Sequence, residues 1–294
     1  MPLRSAPLPR MAGHLSFMRA QTKPIEALGA GDLAVLGVPF EDTSAPHAGQ
    51  SLAARALRET SVYFGWHANP QFSHPIDIDA RQDIQTDGLH EHLCDLGDLS
   101  APTNERDSLS SLLAVAVKQI ADRGACSVIL GGSDPLFDAV HASFTAAQRV
   151  QLGGRYKEAP ARFHIAPLSL GKSTPEAPDL PAHLEAFACW RKDERPLVVQ
   201  FDLSVFETSL SGLCDQPRLG GCDLKTVAQW LSTIGQHPVS AIMLTGLNPN
   251  RPGMGVVKVG QRLMVTALLA FIYARLGFVM DPQGNPSSKD LALT

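Results

Sequence analysis

The chain has 294 residues, 44% of them hydrophobic, with a mean hydropathy near zero and a formal charge of −4. Nucleic acid and acidic membrane surfaces are poor partners for it, because phosphate binding needs concentrated basic charge. No apolar run approaches the roughly 20 residues that span a bilayer, and the N-terminal ten residues, with Pro2, Pro7 and Pro9 and no apolar stretch, are not expected to be a signal peptide.

Leu33 to Val38 is a short continuous apolar run closed by Pro39, the pattern of a strand buried on both faces. A helix is predicted near Leu52 to Tyr63 and a second strand over Leu93 to Leu96. Over Ser108 to Arg123, Leu109, Leu112, Leu113, Ala116, Val117 and Ile120 recur at helical spacing, with Asp107 as N-cap and Gly124 as the stop. Cys126 to Leu130 reads as a buried strand ending in Gly131-Gly132. Strands are predicted at Val150–Leu152, Leu197–Leu203 and Val239–Leu244, and helices at Asp223–Gly235 and Lys258–Leu276. Strand–helix alternation points to one parallel sheet with helices on both faces. In such folds ligands lie beyond the carboxyl ends of the strands. The expected organisation is an N-terminal arm (1–30), one α/β domain (31–280) and a polar C-terminal tail (281–294). Residues 157–196 read as irregular.

The five cysteines, at 94, 126, 189, 214 and 222, form no CxxC pair. That fits reduced thiols and a cytoplasmic location. Cys94 and Cys126 fall in core strands as small hydrophobes rather than nucleophiles. Gly171-Lys172-Ser173-Thr174 lacks the upstream glycine of a phosphate loop, Ala166 standing there, and is discounted. His47, His90, His92, His164 and His183 read as surface or capping residues.

Val199 to Glu207 carries the chemistry. An apolar strand ends in Asp202, and position 204, on the same face of a continuing strand and about 7 Å further on, holds Ser204. Two carboxylates there would grip a metal pair; one carboxylate beside a hydroxyl is a poor site for a hard divalent ion.

Several segments, in order, resemble the ureohydrolase family (arginases, agmatinases, guanidino-acid and guanidine hydrolases). They are Ser16-Phe17-Met18-Arg19, Gly37-Val38-Pro39-Phe40-Glu41, Pro46 to Arg58, Asp95-Leu96-Gly97-Asp98, Gly131 to Pro135, Gly220 to Leu224 and Leu247-Asn248-Pro249. The resemblance implies a three-layer αβα fold with a central, mostly parallel sheet. It also implies hydrolysis of a guanidinium group by a hydroxide that two Mn²⁺ or Ni²⁺ ions generate. The family's ligand positions, in its Gly-Gly-Asp-His-Ser, Asp-Ala-His-x-Asp and Asp-x-Asp motifs, fall on Asp134, on Gly153, Arg155 and Lys157, and on Asp202 and Ser204. Only Asp134 and Asp202 can ligate a cation. The Asp-x-x-Asp continuation is Glu207, and the substrate acid before Asn-Pro is Gly246. Cations at 155 and 157 are expected to pair with Asp202 or Asp134 in place of metal, although Asp202 as a plain cap or loop carboxylate is the simpler reading.

The resemblance therefore implies no catalytic or metal-binding residue in this chain, only the vestigial positions. Family members are trimers or hexamers, so a degenerate copy is expected to assemble with an active paralogue carrying Ni or Mn. Two-component nickel-dependent metformin (dimethylbiguanide) hydrolases, which pair an active subunit with a degenerate one, are the arrangement it points to. Two alternatives stand: an independent guanidine or amidine hydrolase with an altered metal site using Asp134, Asp202 and Glu207, or a protein that binds guanidinium compounds without turnover.

Overall fold

The computed structural model describes residues 14–43, 48–64, 76–77, 82–83, 89–144, 146–153, 162–165, 180–191, 195–207, 214, 221–250, 257–280 and 286–288. Eight strands form one sheet: β1 (Gln21–Thr22), β2 (Leu33–Gly37), β3 (Leu93–Asp98), β4 (Cys126–Leu130), β5 (Gln148–Leu152), β6 (Arg162–Ile165), β7 (Leu197–Asp202) and β8 (Val239–Thr245). Their order is β1-β3-β2-β4-β8-β7-β5-β6, and every pairing in it is parallel. The expectation of a mostly parallel sheet is met and exceeded.

Besides a single turn at Leu89–His92, the helices are α1 (Ala53–Ser61), α2 (Arg106–Asp122), α3 (Asp134–Ala142), α4 (Leu180–Trp190), α5 (Leu224–Gly235) and α6 (Val257–Arg275). Strand alternation divides the apolar residues between two cores. Leu33, Val35, Val128 and Leu130 face one side with Leu57 of α1, Trp230 of α5 and Phe271 of α6. Ala34, Leu36, Ile129 and Met243 face the other with Leu109 and Leu113 of α2 and Phe137 of α3. Helices on both faces make the three-layer αβα sandwich.

The expected elements are present with ends shifted by one or two residues, and the structure differs from expectation in four places. The N-cap position of α2 is Glu105, and Asp107 lies inside the first turn. Asp223, by contrast, caps α5 by accepting the Thr226 N–H at 2.7 Å. α3 is hidden in the sequence because Asp134-Pro135 looks like a loop, yet proline is tolerated in a first helical turn, where its missing N–H has no partner anyway. Residues 157–196 contain β6 and α4 rather than irregular chain alone, and within the expected polar tail Pro286–Ser288 pairs antiparallel with Phe278–Met280.

Candidate functional site

β7 stops at Asp202. Leu203–Val205 is a 3₁₀ turn, so Ser204 is not on the continuing strand that the sequence pattern suggested. The turn forms because the Asp202 carboxylate bends back over it, Oδ1 accepting the Ser204 N–H at 2.9 Å. Oδ2 accepts the Thr245 hydroxyl at 2.6 Å from the neighbouring strand β8. Asp202 is 6% exposed. The carboxylate is thus a buried cap and an interstrand tie, in line with the simpler reading.

Behind it runs a polar chain across three strands. Thr245 Oγ1 accepts from Gln200 Nε2 at 3.0 Å, and Gln200 Oε1 accepts from Gln151 Nε2. Gln151, Gln200 and Thr245 are all buried. Every donor in the chain points toward Asp202, so the negative charge sits where the dipoles accumulate. Motif spacing does not single out these glutamines. The available signal was a polar residue inside each of two apolar parallel strands, Val150-Gln151-Leu152 and Val199-Gln200-Phe201, because buried amides must be paired.

The structure gathers Gly153, Asp202, Ser204 and Gly246 at the carboxyl ends of β5, β7 and β8. A Cβ added at Gly153 would lie 2.7 Å from the Val205 nitrogen and 3.0 Å from Ser204 Oγ. At Gly246 a Cβ would lie 2.7 Å from Asp202 Oδ2, and φ there is +82°. A side chain at 246 and the present Asp202 geometry therefore exclude one another. Gly246→Ala is expected to lower stability by about 1–3 kcal/mol from left-handed strain and collision, measured by urea unfolding. Gly246→Glu is expected to be no milder. An unchanged unfolding midpoint for Gly246→Ala would show that the close approach does not constrain the site.

Asp134 is the first residue of α3, after the Gly131-Gly132 turn that follows β4. Arg155, Lys157, His47 and the 171–174 segment lie outside the described residues, so the expected pairing of a base with Asp202 or Asp134 lies there too. Glu207 is described, on the exposed rim.

Of the six positions that the resemblance assigns to metal ligands, the structure describes Gly153, Asp202 and Ser204 in full. Gly153 and Ser204 offer neither a carboxylate nor an imidazole, and the Asp202 oxygens are turned onto a backbone amide and a hydroxyl. Among the described residues no group of three or more His, Cys, Asp or Glu side chains is placed to hold a metal. Two of the buried thiols are held in the protonated form. Burial pushes Cys126 up to about 12, and burial followed by the Asp223 charge pushes Cys222 up to about 11.

Three segments that resemble family motifs meet elsewhere, in a structural clamp. Arg58 donates through Nε and Nη2 to Asp95 at 2.8 and 2.9 Å and through Nη1 to Asp98. Asp95 also accepts the backbone N–H of Phe17 at 2.7 Å and of Gly97 at 2.9 Å. Burial alone would lower the Arg58 pKa, but its hydrogen bonds and attraction to Asp95, then to Asp98, outweigh that and raise it. Glu41 accepts the N–H groups of Gly49 and Ser51 and the Ser51 hydroxyl, which ties down the loop before α1.

An all-parallel αβα sandwich with these loops at the strand ends defines the class: a protein of the ureohydrolase fold. The sequence model of the Arginase family matches residues 31–149. No curated protein sequence matches the chain. Proclavaminate amidino hydrolase from Streptomyces clavuligerus superposes with a TM-score of 0.68 at 17% identity, covering 91% of this chain and 99% of that one. A hypothetical agmatinase from Burkholderia thailandensis gives 0.66 at 17%, covering 91% and 93%. Formimidoylglutamase from Bacillus subtilis gives 0.66 at 14%, covering 91% and 96%. The chain thus resembles the ureohydrolases in sequence over 31–149 and in fold over nine-tenths of its length.

Proposed function

We propose that this chain is a non-catalytic, metal-free member of the ureohydrolases that assembles with an active, metal-dependent paralogue and supports it. The carrying observation is the commitment of Asp202 to the Ser204 amide and the Thr245 hydroxyl, with Ser204 and Gly246 where the family pattern has acids. A relative of the same fold, Trypanosoma cruzi formiminoglutamase, is described with Mn²⁺. The partner subunit would supply such a metal pair, Ni or Mn, and act on a guanidine or biguanide compound, as in a metformin hydrolase-like complex. A cytoplasmic location follows from the thiol pattern of the sequence; among the described residues no helix is long and apolar enough to cross a membrane.

The test is to purify the chain alone, add Ni²⁺ or Mn²⁺, and assay guanidine, agmatine and dimethylbiguanide. No turnover is expected. Co-expressed with an intact ureohydrolase from the same source, it should copurify and raise that protein's activity or its thermal stability. Turnover by the chain alone, abolished by a chelator, would overturn the reading.

A further inference from the structure

We infer that the outer face of α1 is a self-association surface that pairs with the same helix of a second copy of this chain, antiparallel about a two-fold axis. The inference does not rest on the functional reading above.

The residues that α1 and its flanks turn outward are Leu52, Arg55, Glu59 and Tyr63, at spacings of three, four and four that keep them on one stripe. Leu52 and Tyr63 are 41% and 49% exposed, and Val259 at the adjoining start of α6 is 41% exposed. These are three of the six large hydrophobic residues exposed among the described ones. The Arg262 guanidinium lies 5.6 Å from the centre of the Tyr63 ring, so this side chain is held rather than free to fold away. Leu52, Arg55 and Glu59 of the stripe also form one wall of an open cleft of about 280 Å³, closed on the other side by Pro249, Asn250 and Gln261.

The order of the side chains selects the occupant. An isologous contact requires that residue i meet residue j while j meets i. Turned about a two-fold axis, the stripe sets Leu52 of one copy against Tyr63 of the other, and Arg55 against Glu59. Both pairs centre at or just beyond Leu57, so a single axis satisfies apolar and charged contacts together. Within one copy Arg55 and Glu59 already face each other at 2.8 Å, 70% and 45% exposed. An exposed pair of this kind contributes little to one helix, and a second helix would turn the two charges into a four-membered alternating ring. A partner presenting one sign of charge would leave either Arg55 or Glu59 opposed by its own sign.

The test is sedimentation equilibrium of the purified chain and of two single variants, Arg55→Glu and Glu59→Arg. Both side chains are exposed, and circular dichroism checks that the variants fold. The wild type is expected to dimerise. Each single variant places like charges opposite each other at two points and should weaken the dimer at least tenfold. An equimolar mixture of the two variants should dimerise again, because the two acidic positions of the Arg55→Glu chain then meet the two basic positions of the Glu59→Arg chain. A monomeric wild type, single variants as tight as the wild type, or a mixture that stays monomeric would each overturn the inference. If a monomeric wild type still loses capture of an intact ureohydrolase in both variants, the face is heterotypic and the second copy is the wrong occupant.

Discussion

Asp95→Ala is expected to destabilise the fold by about 3–5 kcal/mol, more than the loss of the Asp202 carboxylate. The substitution removes the acceptor for four donors at once: Phe17 N–H, Gly97 N–H and two nitrogens of Arg58. Arg58 and Asp95 have side chains only 5% and 2% exposed, so the guanidinium left behind is a buried charge with Asp98 as its remaining carboxylate. Asp95→Asn is expected to be almost as severe. Every group that faces Asp95 donates, and an amide nitrogen there would point a donor at a donor. The melting temperature should fall by roughly 10 °C for a domain of this size.

The same loss should release the N-terminal strap. Met18 and Arg19 hold left-handed φ values of 50° and 59°, which costs about 1–2 kcal/mol at each non-glycine residue. That strain is offset by burying Phe17 and Met18 and by the Phe17–Asp95 and Met18–Ser61 hydrogen bonds. Hydrogen exchange at Phe17 and Met18 should therefore accelerate in Asp95→Ala well beyond the change at β4. Uniform acceleration across the sheet would show that the strap is not held locally by this carboxylate.

Asp202→Ala is expected to cost about 2–4 kcal/mol, because it strands two buried donors, the Ser204 amide and the Thr245 hydroxyl, at about 1–3 kcal/mol each. Asp202→Asn should be milder, at about 1 kcal/mol. Its Oδ1 can keep the Ser204 amide while its nitrogen donates to Thr245, provided that the hydroxyl and the two glutamine amides behind it reverse direction together. Urea unfolding in the presence of a chelator measures both. The order alanine worse than asparagine is the signature of a structural cap. A carboxylate poised as a metal ligand predicts the opposite: its removal relieves repulsion in the metal-free protein and leaves stability unchanged or higher.

The strands were legible because parallel strands buried on both faces read as near-continuous apolar runs, and Leu33–Gly37, Cys126–Leu130 and Leu197–Asp202 do so apart from Ser127, Gln200 and the closing Asp202. α2 was legible from its apolar spacing and the Gly124 stop, whereas its predicted Asp107 cap gave way to Glu105 and the Asp223 cap of α5 emerged only in the structure. α3 was obscured by Pro135, and β6 and α4 by the prolines around them. At the site, the residues themselves could be read from the chain: Asp202 at the end of an apolar strand, Ser204 two residues on and Gly246 after the next strand. Their partners could not. Gln151, Gln200 and Thr245 are 49 and 45 residues apart in consecutive steps, and no local pattern records which strands lie side by side.

The linear order of residues thus settled the architecture, since burial periodicity and side-chain chemistry are local properties. Where the Asp202 carboxylate points was settled only by folding. The β7–β8 register puts Thr245 opposite Asp202, the 3₁₀ turn brings the Ser204 amide beneath it, and Gly246 alone leaves room for that orientation. Direction in space depends on neighbours across the sheet, and those neighbours are distant in the chain.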